Sequence, residues 1–241
     1  MISFVVPAYN EERVLGAALD ALHAAARGLG EPYEVVVADD ASTDRTTEIA
    51  EGYGARVIRL AHRQIAATRN SGARHAKGDL LFFVDADTIV NADVVRAAVE
   101  ALRGGAVGGG ATGRFDEPVP FYGRLLVPFS AWLMRTARLA AGCFLFCTRR
   151  AFEAAGGFDE TFYAAEEVMI SRALKRQGRF VVLRQTVITS GRKLRTHSGW
   201  ELLRLLGRLA LRGPGIVRDR RDMALWYGER RDDPSSPPSP S

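Results

Sequence analysis

Two aspartates separated by one alanine follow an apolar run in this chain of 241 residues. The run is Leu80 to Val84, and Asp85, Ala86 and Asp87 come directly after it. On an extended strand Asp85 and Asp87 point the same way, while Ala86 points back and stays small. Two adjacent carboxylates repel each other unless a cation lies near them. The pattern therefore predicts a divalent metal, with a helix cap or a solvated turn as the alternative.

The ligand atoms indicate which metal and which substrate to expect. Oxygen-only ligands favour Mg²⁺ or Mn²⁺. An ion held by only one or two carboxylates usually completes its coordination shell with water and substrate phosphates. We therefore expect a ligand that carries a diphosphate.

Two further acidic pairs stand at positions where chemistry is common. Asp39 and Asp40 end the apolar run "YEVVVA", where acidic side chains can accept hydrogen bonds from a base N–H or from ribose hydroxyls. The alternative is that they cap a helix near Ser42. Glu166 and Glu167 begin the amphipathic stretch "EEVMISRALKRQG", and they could equally be ordinary first-turn acids of a capped helix.

The elements that must position these acids alternate regularly over the first ninety residues. Strand-like runs alternate with helical patterns, which predicts βαβ units, an α/β fold and a mostly parallel central sheet flanked by helices. Ligands bind beyond the carboxyl ends of the strands in such a sheet. The predicted order is a strand at 2–6 stopped by Pro7, a helix capped by Asn10, a strand at 33–40, a helix capped by Ser42, Thr43 or Asp44, a strand at 55–60, a helix at 64–78 and a strand at 79–87.

The remainder of the chain is predicted to contain a second set of elements. These are a glycine-rich turn at 104–113, a loop at 115–120, a helix at 122–142, a strand and helix at 143–158, a helix at 163–178, one or two strands at 179–190 and an arginine-bearing helix at 199–213. We predict one domain over 1–228, with a nucleotide-sugar half at about 1–110, an acceptor half at about 111–190 and a basic helical segment at about 191–228. The Pro- and Ser-rich tail at 229–241 is predicted to be disordered.

Composition and charge exclude several classes of protein. The mean hydropathy of −0.06 and the absence of a long apolar run exclude a polytopic membrane protein, and a secretory signal is not found, so we expect a cytoplasmic protein. Cys143 and Cys147 lie too far apart on a strand for a disulfide. Residues 184–221 carry ten Arg or Lys against two acids, and this local balance of +8 lies within a net charge of +5. Such a patch suits nucleic acid, an anionic membrane or phosphorylated ligands.

Taken together, the motifs resemble those of the family 2 inverting nucleotide-sugar glycosyltransferases, which have the GT-A fold with its Rossmann-like sheet. The matching pieces occur in the family's order: "VVPAYNEE" at 5–12, "VVVADDASTDRT" at 35–46, "ATRNSGARHAKGDLLFFVDADT" at 67–88, "GCFLFCTRRAFEAAGGFDE" at 142–160 and "FYAAEEVMISRALKRQGRF" at 162–180. The family is of a type common in bacteria. By this resemblance the partners are a nucleotide-diphospho-sugar donor, most often a UDP-sugar, and an unknown hydroxyl acceptor, and not nucleic acid.

The resemblance also implies roles for individual residues. The nucleotide pocket and donor site would contain Pro7, Ala8, Tyr9, Glu11, Asp39, Asp40, Arg69, Asn70, Asp85, Ala86 and Asp87. Asp85 and Asp87 would hold Mn²⁺ or Mg²⁺ together with the diphosphate. The base that removes a proton from the acceptor would be Glu167 or its neighbour Glu166, in a single displacement that inverts the anomeric carbon.

The basic region after residue 190 has further implied roles. A segment here often closes over the donor in this family, so Arg192 or Lys193 could neutralise the diphosphate. His197 is a third metal ligand or an exposed loop histidine. Segments 121–141 and 200–212 combine apolar faces with arginines, which suits peripheral contact with an anionic membrane and a lipid-linked acceptor, or helices docked on the sheet.

Three other functions compete with single transfer by a glycosyltransferase. A processive polymer synthase is disfavoured because the Q-x-x-R-W signature is missing. A sugar-1-phosphate nucleotidylyltransferase would need a glycine-rich basic loop where this chain has "VVPAYNEE". A degenerate, non-catalytic family member that serves as a nucleotide-sugar or membrane-binding scaffold remains the main alternative.

Overall fold

The computed structural model describes residues 1–116, 128, 131–196, 204, 217–219 and 223. Eight strands in this part of the chain form one sheet. They are β1 (Ile2–Ala8), β2 (Tyr33–Asp40), β3 (Arg56–Leu60), β4 (Leu80–Val84), β5 (Thr88–Ile89), β6 (Gly108–Phe115), β7 (Phe144–Thr148) and β8 (Phe180–Thr189). The helices are α1 (Leu15–Arg27), α2 (Thr46–Gly52), α3 (Ile65–His75), α4 (Ala92–Arg103), the helical residues 131–137 as α5, α6 (Arg149–Ala154), α7 (Glu166–Gln177) and α8 (Arg192–Thr196).

The sheet has the order β3-β2-β1-β4-β7-β6-β8-β5. The first four strands in this order are parallel to one another, and β7 and β5 run antiparallel to their neighbours. Apolar residues of α1, α2 and α4 pack on one face, and those of α3, α6 and α7 pack on the other. This is the α/β architecture that the alternating pattern predicted, with the sheet buried on both sides.

The first strand runs two residues further than predicted, through Pro7 to Ala8. Proline cannot donate a backbone hydrogen bond, which normally excludes it from a central strand. Here β4 pairs only with residues 2–5 of β1, so that Pro7 has a strand neighbour on one side only, opposite Ala38 of β2. The strand can therefore include a proline at its carboxyl end.

The predicted helix cap at Asn10 is wrong. The first helix begins at Leu15 without a side-chain cap, and Asn10 adopts a left-handed conformation with φ of 51°. Its Oδ1 accepts a hydrogen bond from the backbone N–H of Thr43 at 2.7 Å, and its own N–H donates to Ser42 Oγ. The two loops that follow β1 and β2 are thereby joined, and Asn10 serves this junction instead of the helix.

The predicted glycine-rich turn at 104–113 is also wrong in its second half, because residues 108–115 form β6. A Cβ on Gly109 would collide with the carbonyl oxygen of Val181, and one on Gly110 would collide with Ala140. These glycines let β6 lie close to its neighbours in a crowded part of the sheet. The local sequence predicts a turn here, because the need for close approach arises only when β6 packs against its neighbours in the folded chain.

We expect Gly109→Ala to destabilise the chain by at least about 1–3 kcal/mol, since the added methyl group meets backbone and cannot be accommodated by a rotamer change. Gly52→Ala is the matched control, because a Cβ added there would have no other atom within 4 Å and alanine favours a helix. Urea denaturation of both variants measures the difference. Equal stability of the two variants would show that β6 does not approach β8 as described.

Helix α4 was missed from the sequence, although its signal is present. Asn91 caps it by accepting a hydrogen bond from the N–H of Val94 at 2.9 Å. Its buried positions recur at helical spacing: Val94, Val95, Ala98, Val99 and Leu102. The predicted helix at 199–213, the tail at 229–241 and His197 lie outside the described residues, apart from Arg204. No helix in the described ranges is long and apolar enough to cross a membrane.

Candidate active site

The acids at 85 and 87 lie in a turn at the end of the central strand β4. The strand stops at Val84, and the N–H of Thr88 donates to the carbonyl oxygen of Asp85 at 3.0 Å. Asp85 and Asp87 are partly exposed, and Ala86 between them is buried. The alternating exposure expected of a strand is thus found in a turn. Both carboxylates lie at the carboxyl edge of the parallel strands.

Arg69 of α3 links this turn to the opposite half of the chain. Its Nη2 donates to Asp85 Oδ1 at 2.6 Å and to the carbonyl oxygen of Gly142 at 2.9 Å, and its Nη1 donates to Glu166 Oε1 at 2.8 Å. Only 2% of the arginine side chain is exposed. Burial opposes its charge, but the carboxylates of Asp85 and Glu166 more than compensate and raise the pKa of Arg69 above its usual value. It stays a permanent cation between two acids that are far apart in sequence.

The acidic pair Glu166-Glu167 opens α7, directly after Ala165 in a left-handed conformation. Glu166 is buried and committed to Arg69. Glu167 lies beside Gly142, whose added Cβ would be 3.7 Å from the Glu167 carboxyl carbon. The hydroxyl of Ser171 accepts from the N–H of Ala140 and donates to the carbonyl oxygen of Glu167, which ties this first turn to the loop before β7.

The protonation of Glu167 differs from the sequence-based expectation. A position at a helix start predicts a carboxylate that is anionic at neutral pH. Instead burial, followed by the neighbouring charge of Glu166, raises the pKa of Glu167 to about 8. The cost of desolvating a carboxylate beside a second carboxylate exceeds the favourable effect of the helix dipole.

The loop after β1 contains Tyr9 and Glu11, which contact other segments of the chain. Arg63, in a left-handed conformation, lies over the ring of Tyr9 with 3.7 Å between its Cζ and the ring centroid. The N–H of Glu11 donates to Thr46 Oγ1 at 2.7 Å. Pro7 and Ala8 end the strand directly before this loop. Tyr9 and Glu11 of the predicted nucleotide pocket therefore contact the loop after β3 and the start of α2.

Asp39 and Asp40 both have structural hydrogen bonds. Asp39 accepts from the N–H of Ser42 at 3.0 Å and from the hydroxyl of Thr47. Asp40 accepts from the backbone N–H groups of Arg63 and Gln64 and from the hydroxyl of Thr68, at 2.8–3.0 Å. The predicted start of the second helix at Ser42, Thr43 or Asp44 is wrong, because α2 begins at Thr46 with Arg45 at its N-cap position and without a side-chain cap. The hydrogen bond of Asp39 to Ser42 therefore belongs to the loop after β2, and a contact of either acid with the nucleotide stays a prediction.

Asn70 is placed one residue beyond Arg69 but serves a different loop. Its amide accepts from the N–H of Phe158 and donates to the carbonyl oxygen of Phe158 and to Glu160, at 2.8–2.9 Å. Asp159 accepts from the N–H and hydroxyl of Thr161, as a turn aspartate does. A groove of about 680 Å³ adjoins this loop, but neither Asp85 nor Glu167 lines it. We therefore place the site by its carboxylates and not by this groove.

Arg192 of the basic region reaches the first loop. Its guanidinium forms a two-pronged ion pair with the carboxylate of Glu11, at 3.3 and 3.4 Å. The segment is held in turn by Asp116, which accepts from the N–H of Gly191 and from Arg195, both at 3.0 Å. The structure thus brings Arg192 to the predicted nucleotide loop, where a carboxylate is its partner.

The donor set at the turn fits a hard divalent ion. Two carboxylates are available, of which Asp85 already accepts from Arg69, and Thr189 Oγ1 lies 3.4 Å from Asp87 Oδ1. Within the described ranges no group of three or more His, Cys, Asp or Glu side chains is arranged around a common point. An oxygen-only site with so few protein ligands suits Mg²⁺ or Mn²⁺ completed by water and phosphate oxygens.

Sequence reasoning missed some contributors to this site. Gly142 accepts from Arg69 through its carbonyl oxygen and lies beside the carboxyl group of Glu167. Arg63 covers Tyr9. Neither has a local signal, because each acts through a contact between segments far apart in the chain.

A mixed sheet with acids at the carboxyl edge of its parallel half, faced by an acidic pair at a helix start, is the arrangement of a GT-A glycosyltransferase. The Glycosyl transferase family 2 model matches residues 3–155. The chain belongs to that family, which confirms the assignment predicted from its motifs.

Two curated relatives illustrate the similarity. The chain is 36% identical over 111 residues to an undecaprenyl-phosphate 4-deoxy-4-formamido-L-arabinose transferase of Edwardsiella ictaluri, covering 42% of this chain and 33% of that protein. It is 32% identical over 134 residues to a dolichol-phosphate mannosyltransferase of Pyrococcus furiosus, covering 52% and 38%. The chain therefore spans little more than a third of the length of these relatives.

Solved structures confirm the GT-A fold. A mannosyltransferase from Pyrobaculum calidifontis in complex with GDP-Man and Mn²⁺ matches with a TM-score of 0.67 at 20% identity, covering 90% of this chain and 62% of that one. TarS of S. aureus in complex with UDP-GlcNAc matches with a TM-score of 0.62 at 22% identity, covering 79% and 58%.

Proposed function

We propose that this chain is a metal-dependent inverting glycosyltransferase that moves a sugar from a nucleotide-diphospho-sugar, preferably a UDP-sugar, to an acceptor hydroxyl. The observation that carries the proposal is the buried bridge of Arg69 between Asp85 and Glu166. It holds the predicted metal-binding turn and the predicted catalytic pair at a fixed separation. Relatives that bind nucleotide sugars or bear the names of lipid-phosphate transferases support the donor class and a lipid-linked acceptor.

The two glutamates have different roles in this proposal. Glu166 is buried and its carboxylate is bound by Arg69, so its role is to hold the start of α7 against the metal-binding turn. Glu167 is the base, because its carboxyl lies beside Gly142 and the Arg69 bridge and binds protons far more readily than an ordinary glutamate. A base with a pKa near the working pH is the most effective proton acceptor.

The reaction is a single displacement. The carboxylate of Glu167 takes the proton of the acceptor hydroxyl as its oxygen forms a bond to the anomeric carbon. The bond from that carbon to the diphosphate breaks on the opposite face, and its electron pair leaves with the nucleoside diphosphate. Asp85 and Asp87 would hold a divalent cation, which when bound supplies Lewis-acid stabilisation of the leaving diphosphate.

A thermal-shift panel of UDP, GDP, CDP and dTDP, with and without Mn²⁺, tests the donor and metal site. We expect UDP with Mn²⁺ at about 100 times its dissociation constant to raise Tm by about 5–10 °C, because it binds only the native state. In Asp87→Asn the Mn²⁺-dependent part of the shift should disappear, whereas Asp93→Asn, at an exposed position of α4, should keep it. Failure of every nucleotide to shift Tm in the presence of metal would remove the basis of the proposal.

The non-catalytic alternative is separated by a second measurement. A scaffold would bind the nucleotide sugar but would release no nucleoside diphosphate from it. An enzyme of this family should release it slowly to water and faster when an acceptor is present. Undiminished binding with no release under either condition would favour the scaffold.

A further inference from the structure

Three cations gather where α5 meets α7, away from the acids of the active site. Arg138 follows the last described turn of α5, and Arg172 and Lys175 lie one turn apart on α7. The Lys175 ammonium donates to the carbonyl oxygen of Ala137. Burial, followed by the charges of Arg138 and Arg172, lowers the pKa of Lys175. The three side chains therefore share one patch and repel each other.

This cation patch of Arg138, Arg172 and Lys175 has no acidic partner in the described chain. The ion pairs found there join other residues, among them Arg69, Arg149 and Arg192. Like charges held together without a counter-ion cost free energy, and a bound anionic surface would offset this cost.

The adjoining surface of α5 is apolar. Trp132 is 58% exposed and Leu133 is 50% exposed, and these are two of four large hydrophobic residues exposed in the described chain. Thr136 and Ala137, one turn further on, are exposed as well. Tryptophan is enriched at the boundary between lipid and water, where its ring meets both environments.

We propose that the exposed side of α5, together with the cation patch, docks on the surface of an anionic lipid bilayer. An anionic bilayer can bind both features of this surface. Its headgroups attract the cation patch, and its acyl boundary accommodates tryptophan and leucine side chains. A stable peripheral contact needs two such signals.

The position of this surface also relates it to the proposed reaction. Arg172 lies five residues after Glu167 on α7, which is about 7.5 Å along the helix axis. Lys175 lies eight residues after Glu167, which is about 12 Å along the axis. Ser171 joins α7, through Ala140, to the loop that follows α5. A lipid-linked acceptor in the same bilayer would thus present its headgroup close to the base; this last step rests on the proposed function, whereas bilayer docking does not.

Vesicle sedimentation of the full chain, without donor or metal, tests the docking. We expect binding to vesicles of phosphatidylcholine and phosphatidylglycerol in equal parts, and weak binding to phosphatidylcholine alone. Arg138→Gln/Arg172→Gln/Lys175→Gln should lower the partition coefficient by about 100-fold, given the contribution of each cation near an anionic surface. Trp132→Ala/Leu133→Ala should lower it by about tenfold or more.

The matched control is Arg27→Gln/Arg96→Gln/Arg103→Gln, which removes three cations from α1 and α4 on the opposite face of the sheet and should bind like the parent chain. All variants keep the basic segment after residue 190. If both test variants bind as tightly as the control, that segment or another surface carries the contact and the proposal is overturned. The nucleotide-induced rise in Tm, measured on the same variants, keeps this outcome distinct from failure of the proposed function.

Discussion

Glu167→Gln is expected to lower kcat by about 10²- to 10⁴-fold, the usual contribution of a positioned general base. Glutamine has nearly the same shape but cannot take the acceptor proton. Binding of the donor should persist, because the change leaves Asp85, Asp87 and Arg69 in place. Release of nucleoside diphosphate in the presence of acceptor measures the rate, and the nucleotide-induced rise in Tm measures binding.

The pH dependence provides a second signature of Glu167. Because the pKa of this carboxyl is about 8 in the chain without metal, kcat/KM should rise with pH over a range that lies above 4.5 and extends to about 8. A divalent cation nearby would move the rise toward lower pH. The rising limb should vanish in Glu167→Gln. Retention of the limb in that variant would assign the base to another group.

The same substitution should increase stability at neutral and alkaline pH. The unfolded chain releases the Glu167 proton near its ordinary pKa of 4.5, whereas the folded chain holds it until about 8. The folded state thus binds more protons between these values, so the contribution of Glu167 to stability is full below 4.5 and is lost as pH rises through about 8. One pKa unit corresponds to about 1.4 kcal/mol, which makes the gain in Glu167→Gln on the order of a few kcal/mol at pH 8.

Urea denaturation at pH 5 and pH 8, with chelator present, measures this gain. Glu153→Gln, at an exposed position of α6, is the control and should change stability little at either pH. Glu166→Gln should behave oppositely to Glu167→Gln, since it removes a partner of buried Arg69 and should destabilise the chain. A Glu167→Gln variant that is no more stable than the parent at pH 8 would contradict the raised pKa of this carboxyl.

Arg69→Met is expected to destabilise the fold by about 3–5 kcal/mol, because it leaves Asp85 and Glu166 as carboxylates without their common cation. It should also abolish transfer, since nothing then holds the metal-binding turn against the start of α7. Arg69→Lys keeps the charge but lacks the planar fork that bonds both acids and Gly142. We expect that variant to recover part of the stability and little of the activity.

Urea denaturation and the release of nucleoside diphosphate measure the two effects. Arg74→Met, on an exposed position of the same helix, should cost less than about 0.5 kcal/mol. Should Arg69→Met fail to fold, the double variant Arg69→Met/Glu166→Gln still tests the pairing, because it removes the unpaired buried carboxylate and should fold again. Where both single variants fold, removing both charges should cost less than the sum of the single changes. Strict additivity of the two changes would argue against the bridge.

Much of the first half could be predicted from the sequence because its signals are local. Apolar runs separated by helical periodicity predicted β1 to β4 and α1 to α3, and the carboxyl ends of parallel strands must share an edge. The order of five motifs predicted the family, which the match over residues 3–155 confirms. Hydrophobic periodicity and motif order can be read from the sequence because neither depends on which segments pack together.

Only the tertiary structure decided how the charged residues divide their roles. Asn10 was predicted to cap a helix and Asp40 to contact the nucleotide, and the structure shows that each accepts hydrogen bonds from a loop of another segment. Conversely, Gly109 looks like a turn residue and proves to be part of a strand, because Val181 leaves no room for a side chain. Burial and the proximity of charges set which glutamate is paired and which carries an elevated pKa, and both quantities depend on residues brought together from segments far apart in the chain.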